Sequence, residues 1–136
     1  MNIFFTYKKR GSQDNEDRCL EIIEYLKKYG TITSAYIRER NIDYSGAKLT
    51  DKEILERNSK MIREADILVA EVTTPSLGVG YQIHFSKTIN KRIVCLYKNQ
   101  IKTELSPIIN GDEGLEIIKY DTLKELFSKL DIIFNK

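Results

Sequence analysis

Residues 72–82, VTTPSLGVGYQ, carry the densest set of ligand-binding chemistry in the chain. They leave an apolar run and enter a segment of helical character. Gly78 and Gly80 let the main chain approach a ligand closely, and Ser76 adds a hydroxyl. Free N–H groups at a helix start, with the helix dipole behind them, favour an anion. The same residues also fit a plain strand-to-helix turn, in which proline and glycine supply geometry only. No Gly-Lys-Ser/Thr follows, so this is not a Walker loop. A second cluster, Lys8, Lys9, Arg10, Gly11 and Ser12, follows the first apolar run. Three cations beside a glycine can grip a phosphate, and a solvated basic loop has the same composition. Two amides complete the set. Asn58 falls on the face of a helix that should be buried, where it either joins a structural network or faces a cavity. Gln82 falls in the first turn after the glycines, where a glutamine is also an ordinary surface residue.

These residues need elements to hold them. Ile3 to Phe5 reads as a short buried strand, and Gly11, Ser12, Asp14 and Asn15 mark a polar loop. From Glu16 to Lys28, Leu20, Ile23 and Leu26 recur at helical spacing, and Gly30 follows as a stop. Thr31 to Thr33 is β-rich. Residues 38–48 are charged, contain Gly46 and read as an exposed loop. Thr50 and Glu53 fit a capping box, opening a helix with Ile54, Asn58, Met61, Ile62 and Ala65 on one face. Ile67 to Ala70 is a continuous apolar strand of the kind covered on both sides. The next helix is expected to start near Gly78 to Gly80. Ile93 to Tyr97 and Leu115 to Ile118 read as further strands. Thr122 and Glu125 repeat the capping box ahead of a helix through Phe127, Leu130 and Phe134. Strand and helix thus alternate about five times, which predicts an α/β fold with a parallel sheet and helices on both faces. In such a sheet ligands bind beyond the carboxyl ends of the strands, which singles out residues 6–16, 33–48, 72–82 and 98–112.

Composition sets the outer bounds. The 136 residues are 41% apolar and 31% charged, enough for one domain with a real core. Disorder and collagen-like repeats are excluded. No apolar run approaches the about 20 residues of a membrane-spanning helix, so no membrane partner is expected. With 22 basic and 20 acidic residues the net charge is +2, which argues against a nucleic-acid partner. Cys19 and Cys95 lack CxxC spacing, and His84 stands alone, so neither a disulfide framework nor a metal site is expected. Residues 1–8 show no charged stretch ahead of an apolar one and no small-residue cleavage site. A cytoplasmic location is the expectation.

Residues 65–81, ADILVAEVTTPSLGVGY, resemble the signature of the 2'-deoxynucleoside 5'-phosphate N-hydrolases of the nucleoside 2-deoxyribosyltransferase superfamily. Weaker agreement runs through Phe5 to Gly11, Tyr29 and Gly30, Lys91 to Leu96, and Leu105 to Gly111. The resemblance implies one nucleoside 2-deoxyribosyltransferase-like domain over residues 1–136. It implies a three-layer, flavodoxin-like (Rossmann-like) fold that works as a homodimer without a cofactor. The implied reaction is hydrolysis of the base–sugar bond of a nucleoside 5'-monophosphate. Carried over by position, Ser76 and Gly78 hold the 5'-phosphate, with Arg10 and Gly11 nearby and Ser106 reaching it from the partner subunit. Lys9 and Tyr36 fall at the base pocket, Tyr36 where the family has a histidine.

The implied catalytic positions are chemically altered. Gln82 stands at the nucleophilic glutamate, Asn58 at the paired aspartate and Phe4 at a tyrosine. The family chemistry parallels that of retaining glycosidases, in which a carboxylate meets C1' of an oxocarbenium-like sugar. A neutral amide cannot form the glycosyl ester, and losing a proton-transfer group alone commonly costs ~10²–10⁴-fold. Other acids lie near: Glu71 in the signature, and Asp14, Glu16 and Asp17 after the first loop. Glu71 reads as structural. Two function classes stay open: an N-glycosidase acting on nucleoside 5'-monophosphates, and a homologue that binds them without efficient hydrolysis. A flavin carrier of similar topology has no residue to support it beyond the fold.

Overall fold

The computed structural model describes residues 1–9, 11–34 and 48–135. Along the chain run β1 (Asn2–Thr6), α1 (Gln13–Leu26), β2 (Thr31–Ile32), α2 (Asp51–Glu64) and β3 (Ile67–Glu71). Then follow α3 (Leu77–Thr88), β4 (Arg92–Lys98), α4 (Pro107–Asn110), β5 (Glu116–Tyr120) and α5 (Leu123–Phe134). The loop expected at 38–48 lies outside the described residues except for Lys48.

The five strands form one sheet in the order β2-β1-β3-β4-β5, and every pairing is parallel. Alternation along each strand splits the core into two layers. Ile3, Phe5, Val69, Val94 and Leu96 pack with Ile22 and Leu26 of α1 and Leu126 and Leu130 of α5. Phe4, Leu68, Ala70, Ile93 and Cys95 face the other way, onto Ile62 of α2 and Val79 and Ile83 of α3. All five residues of β3 are buried, as the unbroken apolar run requires of a strand covered twice.

Helix starts follow hydroxyl caps more closely than hydrophobic spacing suggests. Thr50 and Glu53 form the expected capping box of α2. Thr122 caps α5 by accepting from the Glu125 N–H. Two starts differ from expectation, each for the same reason. Ser12 accepts from the Asn15 N–H, so α1 begins at Gln13, and Asn15 and Asp14 are helical rather than loop. Ser76 accepts from the Val79 N–H, so α3 begins at Leu77, ahead of both glycines. A serine side chain satisfies an orphan donor of the first turn, and that fixes the start. The α1 stripe is also rotated: Cys19, Ile22, Ile23 and Leu26 are buried, while Leu20 is 37% exposed. The last strand runs two residues later than expected, to Tyr120.

Leu68 is fully buried in the central strand. Leu68→Ala is expected to destabilise the fold by about 2–5 kcal/mol, through lost transfer energy and the cavity left behind. Leu20→Ala should cost less than about 1 kcal/mol, because the side chain is already partly solvated. Urea unfolding of the two variants checks the contrast, and equal costs would contradict the burial assignment.

Candidate functional site

Beyond the carboxyl ends of β1 and β3 the described residues enclose a cleft of about 900 Å³. Here the winding of the sheet reverses, because β1 lies between β2 and β3. The loop after β1 feeds α1 on one face, and the loop after β3 feeds α3 on the other. The crevice between diverging loops is where open parallel sheets bind ligands. Its volume lies within the range of small-molecule sites.

One half of the cleft suits an anion. Ser76, Gly78 and Gly80 all line it. Ser76 Oγ accepts from the Val79 N–H at 3.3 Å, and the Gly80 N–H reaches the Ser76 carbonyl at 3.1 Å. The first-turn N–H groups of Leu77 and Gly78 are left for a ligand. A Cβ at Gly78 or Gly80 would meet nothing within 4 Å, so the space over the helix start is open. Lys8 and Lys9 line the facing wall, and Lys8 Nζ donates to the Pro75 carbonyl at 3.4 Å. Lys9 Nζ lies 3.9 Å from the centre of the Tyr7 ring. Burial pulls the Lys9 ammonium down to a pKa of about 8, against the opposing pull of Glu16.

The other half is neutral. Gln82 Oε1 accepts from Thr6 Oγ1 at 2.6 Å. Asn58 is half-buried, and its Oδ1 accepts from Arg57 Nε at 3.1 Å. Phe4 is 2% exposed and closes the floor with its ring. Gln82, Asn58 and Phe4 therefore do share one cleft with Ser76 and Gly78. Asn58 thus both lines the cleft and bonds a neighbour, and it is half-buried rather than fully buried as its helix face suggested. Among the described lining residues Glu104 is the one carboxylate. None of the four acids named from sequence lines the cleft. Glu71 is buried behind it and accepts from the Thr73 N–H and the Tyr120 hydroxyl, both at 2.6 Å, with Arg18 Nε at 3.6 Å. Burial and the adjacent Glu71 push the Tyr120 hydroxyl well above the ordinary tyrosine range. Glu16 accepts from the Tyr7 hydroxyl, and Asp17 from Gln13.

Some expected residues sit elsewhere. Gly11 does not line the cleft, and a Cβ there would press on Asn15 Nδ2 at 3.1 Å. Its lack of a side chain makes room for Asn15. Arg10 and Tyr36 lie outside the described residues. Ser106 stands at the N-cap position of the short α4 without a side-chain capping bond and lines the cleft of its own chain. Thr6, Ser34 and Glu104 lie within the segments singled out beyond the strand ends, though none stood out there by residue type. Ser34 Oγ accepts from the Phe5 N–H and donates to the Phe5 carbonyl, extending the β1–β2 pairing to the cleft wall. No group of three metal-ligating side chains assembles among the described residues.

No family model matches the chain. A protein of Syntrophotalea carbinolica, named "Putative 2'-deoxynucleoside 5'-phosphate N-hydrolase 1", is 37% identical over 131 residues, 96% of this chain and 92% of that one. The chain belongs to the 2'-deoxynucleoside 5'-phosphate N-hydrolase family. A family relative from Danio rerio, named 5-hydroxymethyl-dUMP N-hydrolase, is 32% identical over 92% of this chain and 88% of its own. The solved Clostridium botulinum CMP N-glycosidase, BcmB, superposes with a TM-score of 0.73 over 98% of this chain and 99% of that one. At 20% identity that likeness establishes the shared α/β fold.

The lowered Lys9 pKa has a sign that can be checked. Below about pH 8 Lys9 carries its charge, and above it the amine is neutral. Affinity for an anionic ligand should therefore fall as pH rises through about 8. Amine acylation followed by mass spectrometry should show Lys9 labelling with a midpoint near 8. A midpoint at the free-lysine value of about 10.4 would refute its half-buried placement at the cleft wall.

Proposed function

We propose that the cleft takes a (deoxy)nucleoside 5'-monophosphate and that the protein hydrolyses its base–sugar bond, giving free base and (deoxy)ribose 5-phosphate. The carrying observation is the juxtaposition of an anion-suited helix start, Ser76 to Gly80, with Gln82, Asn58 and Lys9 in one cleft. The relatives support the substrate class, since both carry nucleotide N-hydrolase names. In this reading the phosphate rests on the N–H groups of Leu77 and Gly78 and the Ser76 hydroxyl. Lys8, Lys9 and Arg10 supply countercharge, and Tyr36 and Lys9 border the base. Gly78 leaves the main chain bare so that the phosphate can come close.

The sugar then lies over Gln82 and Asn58. Cleavage breaks the C1'–N bond, and its electron pair leaves with the base, which takes up a proton. Water adds to C1' and releases a proton to solvent. A carboxylate at position 82 would instead form a covalent glycosyl ester; the Gln82 amide cannot. Gln82 can orient water or a sugar hydroxyl while Thr6 holds its carbonyl oxygen. Turnover is therefore slow. A second reading, nucleotide binding without efficient hydrolysis, is favoured by the same two uncharged side chains.

We also place the protein in the cytoplasm, where its two buried thiols, Cys19 and Cys95, stay reduced. The proposed assembly is a homodimer. Leu77, 97% exposed, joins Tyr81, Leu55 and Ile108 as large apolar side chains left in solvent on α3, α2 and α4. Leu77 and Ile108 also line the cleft mouth, so a second copy would cover both the patch and the site entrance. Its Ser106 would then complete the phosphate contacts.

Calorimetric titration with a panel of monophosphates, paired with a base-release assay, tests the reading. Binding with slow release is expected. Gln82→Glu combined with Asn58→Asp should raise release by ~10²-fold or more, the scale of restored acid–base chemistry. No binding of any monophosphate would reject both readings, and no release at any enzyme concentration would leave only the second. For the assembly, sedimentation should show a dimer that Leu77→Lys with Ile108→Lys converts to a monomer. A wild-type monomer at all concentrations would rule the dimer out.

A further inference from the structure

We infer that Asn15 is a positioning residue that ties the loop after β1 to the loop after β3 and so sets the spacing across the anion site. The inference rests on the proposed nucleotide-binding role. Asn15 is 3% exposed and does not line the cleft, so it acts only through other residues. Its Nδ2 donates to the Lys8 carbonyl at 3.4 Å. Its Oδ1 accepts from Arg18 Nη2 at 2.8 Å and from Thr74 Oγ1 at 3.3 Å. One amide therefore touches the loop that carries Lys8 and Lys9 and the loop that leads into Ser76 and Gly78. A carboxamide suits this place because it donates and accepts at once.

The tie is anchored in the core. Arg18 reaches from Asn15 to the buried Glu71, whose other bonds hold the Thr73 N–H and Tyr120 of β5. Thr73 Oγ1 in turn accepts from the Lys98 N–H at 2.9 Å, at the end of β4. The two loops feed helices on opposite faces of the sheet, so no ladder hydrogen bond joins them past Thr6 and Ala70. The side-chain network takes over where the backbone pairing ends. Removing Asn15 strands the Lys8 carbonyl, the Thr74 hydroxyl and an Arg18 N–H together, a loss that a buried network transmits to all its members.

The test uses the full chain with Asn15→Ala and with Asn15→Asp, which keeps both acceptances, loses the bond to Lys8 and sets a carboxylate beside Arg18. Hydrogen–deuterium exchange is measured without ligand. Calorimetry is run with deoxyuridine 5'-monophosphate and with deoxyuridine. In Asn15→Ala, exchange should rise at residues 8–9 and 73–79 while β4 and α5 stay protected. Monophosphate affinity should fall about tenfold, the scale of one lost hydrogen bond, with nucleoside affinity unchanged. Asn15→Asp should fold as the wild type does and raise exchange at 8–9 alone. Unchanged exchange in both loops, or equal losses for the two ligands, overturns the inference. Failure of the unaltered protein to bind any monophosphate of the panel would sink the nucleotide reading instead, and the exchange data would still decide whether Asn15 joins the loops.

Discussion

Because β1 pairs with β2 on one side and β3 on the other, the chain must leave its two central strands in opposite directions. Parallel pairing holds Thr6 level with Ala70, and there the ladder stops. Past that point the backbone cannot close the gap, since each loop is committed to a helix on its own face. The cleft is thus a consequence of strand order, and its walls are whatever residues happen to end the strands. Thr6, Ser34 and Thr73 occupy those ends, and each spends its hydroxyl on a fixed partner.

The electrostatics of the cleft come from the same geometry. Its cations sit on the loop after β1, its helix N-terminus after β3, and the two face each other across the gap. A helix start and two lysines are a strong field for a dianion, and Glu104 at the rim opposes it weakly from solvent. The reacting end has no such field. Gln82 and Asn58 offer only dipoles there. The cleft thus divides into a half with two lysines and a helix start and a half whose polar side chains, Gln82 and Asn58, are neutral.

Holding such a cleft open at a fixed width requires buried polar groups, which are costly unless fully paired. Glu71 shows how the cost is met. Its carboxylate accepts from a main-chain N–H and a phenol and has a guanidinium at ion-pair distance, and the three partners come from different segments. An acid that closely satisfied is a strut rather than a reactant.

Much of this was legible in one dimension. The unbroken run at 67–70 demanded a doubly covered strand, Thr50 and Thr122 marked helix starts, and residues 72–82 set Ser76, Gly78 and Gln82 in one strand-to-helix segment. These features are local, because capping and periodicity act over a few residues. Sequence also determined that Gln82 and Asn58 are uncharged, since side-chain chemistry needs no fold. Only the tertiary structure decided that Asn58, 24 positions before Gln82, faces the same cavity. It alone showed that Gly11 makes room for Asn15 without lining the cleft, set Glu71 behind the cleft wall, and gave Asn15 three partners from three segments. Those outcomes depend on strand order and on which buried polar groups find each other, and such pairings span 59 residues between Asn15 and Thr74, beyond the reach of any local pattern.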